Sequence, residues 1–305
     1  MPDEEAEDAR QGAEERAAKQ KKAGAALYKG RWQDKYQRWR ANQVRRRKTP
    51  SAAQWLCLDA VHRRCVLEYN EESKNRVNSG AEDPMLALLH APPGHDKSQL
   101  VDCPRSYFET VWDWDYGVQI IILAPMNTMA INVRGDTMHA WGEIPFAVDG
   151  AHVGGKSQAE AVDLDSMHLK CEAMRWLIGD EVGNAGAGAL GILETHVRQA
   201  ANKKHYPVRP HKTGALRPRP FGGINVVLCG DWWQLRPVAG TALFSNPQFL
   251  SGIAKCGVDM FWQGGRDAVR KVWELVDPMR CEDAWYNAML AMCRDGRLTF
   301  ESYCI

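Results

Sequence analysis

Four short runs constrain the fold of this chain more than any other feature: MLALLHA (85–91), VQIIILAPM (118–126), MRWLIGDE (174–181) and INVVLCGD (224–231). Each is apolar at successive positions and bounded by turn residues. A strand with one face in water alternates apolar and polar residues; a strand buried on both faces does not. Four such runs separated by polar, helix-compatible stretches predict an α/β domain with a central, mostly parallel sheet. The chain has 305 residues, 45% hydrophobic and 25% charged, which suffices for one large domain with extensions. Its formal net charge of +1 carries no message about partners, so any electrostatic message is local.

Around this core the composition divides the chain. Residues 1–49 are charged and Ala-rich, first acidic and then basic from Lys29 to Lys48, with Trp32, Tyr36 and Trp39 interleaved. They read as a helical or disordered extension outside the core. The basic half could follow a phosphate backbone with its aromatics stacking on bases, act as a nuclear localisation signal, or be a solvated charge run. Pro50 and Ser51 open a helix with apolar positions at Leu56, Ala60, Val61 and Leu67. Residues 146–168 are Gly-rich and polar, and 203–220 basic and Pro-rich; both read as loops or insertions. The domain expectation is an extension at 1–49, a core at 50–280 and a helical remainder at 281–305.

Nine cysteines show no CxxC pair and no zinc-finger spacing, so free thiols in a reducing compartment are expected, with Cys57 and Cys65 on one helix. The acidic start lacks the order of a secretory signal, and no run is long enough to span a membrane. An intracellular address is expected.

In open parallel sheets, ligands collect at the carboxyl ends of the strands. After the first run stand Gly94, Lys97 and Ser98: a turn to cradle phosphates, an ammonium for the β- and γ-phosphates and a hydroxyl for Mg²⁺. After the third stand Asp180, a carboxylate for Mg²⁺, and Glu181, which would polarise an attacking water. After the fourth come Gly230, Asp231 and Gln234, whose amide could sense a γ-phosphate or position water. ATP and Mg²⁺ are the cofactors this order of groups suggests.

The stretch FGGINVVLCGDWWQLRPV (221–238) resembles the third motif of the PIF-type (petite integration frequency) DNA helicases, superfamily-one enzymes related to RecD. RWLIGDEV (175–182) resembles their Walker B strand, and APMNTMAINVRGDTMHAWGEIP (124–145) their motif Ia. SAAQWLCLDAV (51–61) and ELVDPMRCEDAWYNAML (274–290) are similar to the opening helix and to the segment leading into the second motor domain. The resemblance implies a RecA-like motor domain in which Gln54 faces adenine and Arg280 faces the γ-phosphate. It also implies that Asn127, Thr137 and His139 touch single-stranded DNA, and that 146–168 holds a small wedge. For the family it implies 5′-to-3′ unwinding and roles in telomere maintenance, repair and recombination.

The chain departs from that pattern. Where the family's loop reads Gly-x-x-Gly-x-Gly-Lys, this one has Ala91, Gly94 and Asp96. An aspartate there brings negative charge towards a polyanion; at an effective dielectric near 20 and about 4 Å the repulsion is roughly 4 kcal/mol, nearly a thousandfold in affinity. Weak or absent ATP binding is expected. The run GNAGAGALG after Val182 should weaken the following helix by up to about 1 kcal/mol per glycine. Ile305 follows soon after Arg280, so most of a second motor domain is expected to be missing. Two readings stay open: the motor portion of an ATP-dependent helicase, or a non-hydrolysing module that binds single-stranded nucleic acid.

Overall fold

The computed structural model describes residues 32–45, 49–74, 82–145, 164–201, 208–210, 216–237, 240–276, 278–279 and 281–300. Helix α1 (Trp32–Arg45) leads into α2 (Ala52–Ser73), whose start carries a complete capping box: Ser51 Oγ accepts from the Gln54 N–H, and Gln54 Oε1 accepts from the Ser51 N–H. Strand β1 (Leu86–His90) feeds α3 (Lys97–Val111). β2 (Ile120–Ala124) is followed by the short α4 (Asn127–Asn132), β3 (Asp136–Thr137) and α5 (Met138–Trp141). Then come α6 (Leu164–Cys171), β4 (Trp176–Gly179), α7 (Ala187–Ala200) and a hairpin of β5 (Val208–Pro210) and β6 (Leu216–Pro218). β7 (Asn225–Gly230), α8 (Gly252–Trp262), β8 (Lys271–Glu274) and α9 (Ala284–Arg294) complete the order.

Six strands form one sheet in the order β3-β2-β4-β7-β1-β8, every neighbouring pair parallel. The four apolar runs are its four inner strands, and nearly every residue in them is buried. β1 and β4, the strands that end in the Lys97 and Asp180 segments, are separated only by β7. All three therefore deliver their last residues to one edge. Core residues cover both faces: Leu58, Val61, Phe108 and Trp176 on one, Met138, Leu190, Leu193 and Val258 on the other.

The amino-terminal segment departs from expectation. Tyr36, Trp39 and Gln43 are buried, and Trp32 stacks on Trp112 at 5.5 Å. The spacing from Trp32 through Tyr36 and Trp39 to Gln43 is four, three and four residues, a single stripe on a helix, and it closes the core over α3. Tyr36 and Trp39 are therefore core residues and are not available to stack on bases. Lys35 and Arg40 are committed as well, to Asp113 and Asp59. Residues 29–31 and 46–48 of the basic arm lie outside the described residues.

Smaller differences follow. Leu56 is exposed, whereas Ala60 and Val61 are buried as expected, together with Cys57, Leu58 and Cys65. The basic segment near 203–220 contributes the β5–β6 hairpin. Of the expected wedge, 146–163 lies outside the described residues, whereas 164–168 begins α6, which packs on α7. Of the glycines in the run after Val182, Gly191 serves packing: a Cβ there would stand 2.3 Å from the Ile253 carbonyl oxygen, so α7 and α8 approach closely because that side chain is missing. Cys57 and Cys65 are both buried free thiols on α2, as expected. Among the described residues no helix is long and apolar enough to cross a membrane.

Candidate functional site

The loop after β1 turns at Gly94, φ +87°, and enters α3 through Asp96 at φ 51°, ψ 40°. That is the left-handed region, which favours glycine and which aspartate tolerates better than most residues. The helicase pattern has glycine at this position, and the observed backbone explains why. Asp96 is buried, and its side chain makes no capping hydrogen bond to α3. Its carbonyl accepts a 3.3 Å hydrogen bond from Gln54 Nε2, so α2 holds the loop after β1 directly. Gln54 is buried and engaged at both ends of its amide.

Lys97 opens α3 and reaches the end of β4. Its Nζ lies 2.7 Å from Glu181 Oε1 and 4.0 Å from Asp180 Oδ1. Glu181 is itself left-handed, φ 50°, which turns its carboxylate back towards the loop. The turn fits beneath the end of β7 because Gly183 has no side chain: a Cβ there would meet the Asp231 carbonyl oxygen at 2.5 Å. Burial pushes the Asp180 carboxyl up to about 6, with Lys97 opposing and Glu181 adding to the rise. Two carboxylates face one ammonium here, a local deficit of positive charge.

A second charged group sits one strand over. Asp231, at the end of β7, takes both arms of the Arg294 guanidinium, one at 2.6 Å, and lies 3.3 Å from His90 Nε2. The Trp233 N–H donates to it at 3.0 Å. Burial alone would raise this carboxyl, but the hydrogen bonds from Arg294 and His90 outweigh it and hold it well below the usual carboxylate range. Arg294 thereby ties the end of α9 to the strand ends. His90 and Arg294 were not foreseen from the sequence.

The remaining expected residues divide. Gln234 lies half-buried in the turn beyond β7 and makes no hydrogen bond to Lys97 or Asp180 among the described residues. The Ser98 side chain and Arg280 lie outside the described residues. Asn127 follows β2 and begins α4, and Thr137 ends β3 and caps α5, its Oγ1 accepting from the Ala140 N–H at 3.1 Å. His139 is half-buried, and burial lowers its pKa. Among the tryptophans of these segments, Trp141 is core and Trp232 packs edge-on against Phe261 at 5.1 Å. Trp233 is 67% exposed, with the Arg294 guanidinium 5.7 Å from its ring.

A parallel sheet with a glycine-turned loop, lysine and paired carboxylates at its carboxyl edge defines a RecA-like P-loop domain. Residues 117–256 match the family model described as PIF1-like helicase. It is 28% identical over 188 residues to the ATP-dependent DNA helicase PIF1 of Rattus norvegicus, covering 59% of this chain and 24% of the relative. It is 27% identical over 191 residues to the ATP-dependent DNA helicase RRM3 of Saccharomyces cerevisiae, covering 61% and 22%. The matched region thus spans about a quarter of these relatives' length. The fold is also that of the Pif1 helicase from Candida albicans, with a TM-score of 0.54 and 20% identity over 83% of this chain and 45% of that one. An unliganded Pif1 from Bacteroides gives a TM-score of 0.53 and 18% identity over 84% and 48%.

Proposed function

We propose that this domain is the nucleotide-binding half of an ATP-driven DNA helicase motor, with ATP and Mg²⁺ at the ends of β1 and β4. The observation that carries the reading is the convergence of Lys97 on Glu181 at 2.7 Å and Asp180 at 4.0 Å. Gly94 and the first N–H groups of α3 would cradle phosphate oxygens. Lys97 would leave Glu181 for the β- and γ-phosphates, freeing Glu181 to orient the attacking water. Magnesium, a hard cation that neutralises phosphate charge, suits the buried Asp180 carboxylate and the Ser98 hydroxyl; the deficit of positive charge around Asp180 supports that fit. Gln54 would read adenine by giving up its bond to the Asp96 carbonyl, which couples base recognition to the shape of the phosphate loop.

In this reading Gln234 and Arg280 act at the γ-phosphate when a second motor domain closes the cleft, and Asn127, Thr137, His139 and the exposed Trp233 meet single-stranded DNA. Unwinding from 5′ to 3′, in telomere maintenance, repair and recombination and in nucleus or mitochondrion, belongs to the completed motor.

One observation favours a second reading, a non-hydrolysing module that binds single-stranded nucleic acid: the buried Asp96 occupies a place where backbone must approach phosphate. Titration with a fluorescent ATP analogue and Mg²⁺ separates the two. The motor reading expects weak binding by the natural chain, stronger binding by Asp96→Gly, and its loss in Asp96→Gly combined with Lys97→Ala. No binding by Asp96→Gly leaves the second reading standing.

A further inference from the structure

The opposite edge of the sheet carries a charge arrangement that the nucleotide site does not use. Asp83 precedes β1, and its side chain is 4% exposed. Four arginines surround it. Arg219 Nε donates to Oδ1 at 3.0 Å, while Arg266, Arg209 and Arg270 approach Oδ2 at 2.8, 3.5 and 3.6 Å. They come from separate segments: Arg209 from β5, Arg219 from the approach to β7, Arg266 and Arg270 from the approach to β8. One carboxylate oxygen cannot satisfy three guanidinium groups, since it offers about two lone-pair sites. Arg209 also pairs with Asp267 and donates to the Arg266 carbonyl. Two carboxylates therefore face four guanidinium groups.

The hairpin adds a fifth cation. Arg209 and Arg217 are direct cross-strand partners, so their side chains leave the hairpin on one face. Like charges directly opposite destabilise a hairpin unless an anion lies between or beside them. Arg217 is exposed, and Arg266 and Arg270 are 57% and 44% exposed at their side chains. Burial holds the Arg219 guanidinium below its ordinary value, the Asp83 carboxylate opposing and the like charges of Arg209 and Arg64 adding. Asp83, Arg209 and Arg219 thus form a buried base, and Arg217, Arg266 and Arg270 a solvent-facing rim with an excess of positive charge.

We propose that this rim binds the phosphate backbone of duplex DNA at the amino-terminal edge of the sheet. Planar guanidinium groups held from below match phosphate oxygens. A duplex fits better than a single strand, because sequence-independent single-strand sites place aromatic faces among their cations, whereas the rim is built of arginine. The five-residue β1 separates this edge from the phosphate loop by roughly 17 Å, so the contact is distinct from the nucleotide pocket and from the loops bearing Thr137 and His139.

The test is the affinity of the full chain for a blunt DNA duplex, without nucleotide, across a salt series. Arg217→Ala/Arg270→Ala should weaken binding on the order of tenfold and make the slope of log K against log salt shallower by about two, with the melting temperature retained. Arg217→Glu alone should weaken it as well, and it removes no contact to Asp83, so it decides the matter if the double variant melts early. The natural affinity and salt slope in Arg217→Glu would overturn the proposal. Because nucleotide is absent, loss of ATP binding leaves this result untouched.

Discussion

The two edges of the sheet are built with opposite charge imbalances. At the carboxyl edge Asp180 and Glu181 share Lys97, and Asp180 is pushed up to about 6. At the amino edge Asp83 is surrounded by four arginines and held below the usual carboxylate range, the Arg266 and Arg219 hydrogen bonds overcoming the effect of burial. A buried carboxylate short of positive charge costs stability that a bound cation would restore. A buried carboxylate with excess positive charge is itself the anchor, and its surplus faces solvent. The same side chain thus acts as a site at one edge and as a structural counter-ion at the other.

The largest expected effect breaks the anchor. Asp83→Ala leaves Arg209 and Arg219 buried with their shared carboxylate gone, and removing one partner of a buried pair costs about 3–5 kcal/mol. Urea melts should show that loss. A change below about 1 kcal/mol would mean the arginines relax into water and would remove the contrast between the edges.

Asp180→Asn should move stability the other way. The folded carboxyl holds its proton more tightly than the unfolded one, so the folded state binds more protons between roughly pH 4 and 6. The Asp180 contribution to stability therefore falls as pH rises through that window and is flat above it. From an ordinary value of 3.8 to about 6 the cost is at most about 3 kcal/mol. At pH 7 Asp180→Asn should recover much of it, with the advantage over the natural chain growing between pH 4 and 6, while abolishing any Mg²⁺-dependent hydrolysis. An advantage of Asp180→Asn over the natural chain that does not grow between pH 4 and 6 would mean Lys97 outweighs burial, and the charge deficit at this edge would not exist.

How much of this was legible in the sequence depends on whether the signal was local. β1, β2, β4 and β7 are buried on both faces and announced themselves as unbroken apolar runs, and Lys97, Asp180 and Glu181 follow such runs directly. β8 is an edge strand with only Trp273 buried, and β3 has two residues, so neither offers a run to read. The stripe of α1 was hidden among lysines and arginines although its spacing was there. Arg294 and Asp231 are 63 residues apart, and the arginines around Asp83 come from three segments. Pairing of that kind exists only after the sheet has brought the segments together.

The smallest expected effect sharpens the carboxyl edge at a single backbone position. Asp96 sits at φ 51°, ψ 40°, where a non-glycine residue costs roughly 1–2 kcal/mol, less for aspartate than for a bulkier side chain. Glycine relieves that strain but loses about 0.5–1 kcal/mol through the greater freedom of the unfolded chain. Asp96→Gly should therefore be stabilising by about 0.5 kcal/mol, a rise of one or two degrees in melting temperature, together with the gain in nucleotide affinity. The two readouts need not move together, which makes the pair informative. A lower melting temperature with tighter nucleotide binding would show that the buried Asp96 carboxylate stabilises the empty loop. The natural chain would then hold its phosphate loop with the same negative charge that opposes phosphate, and occupancy of the site would be set by competition between the two.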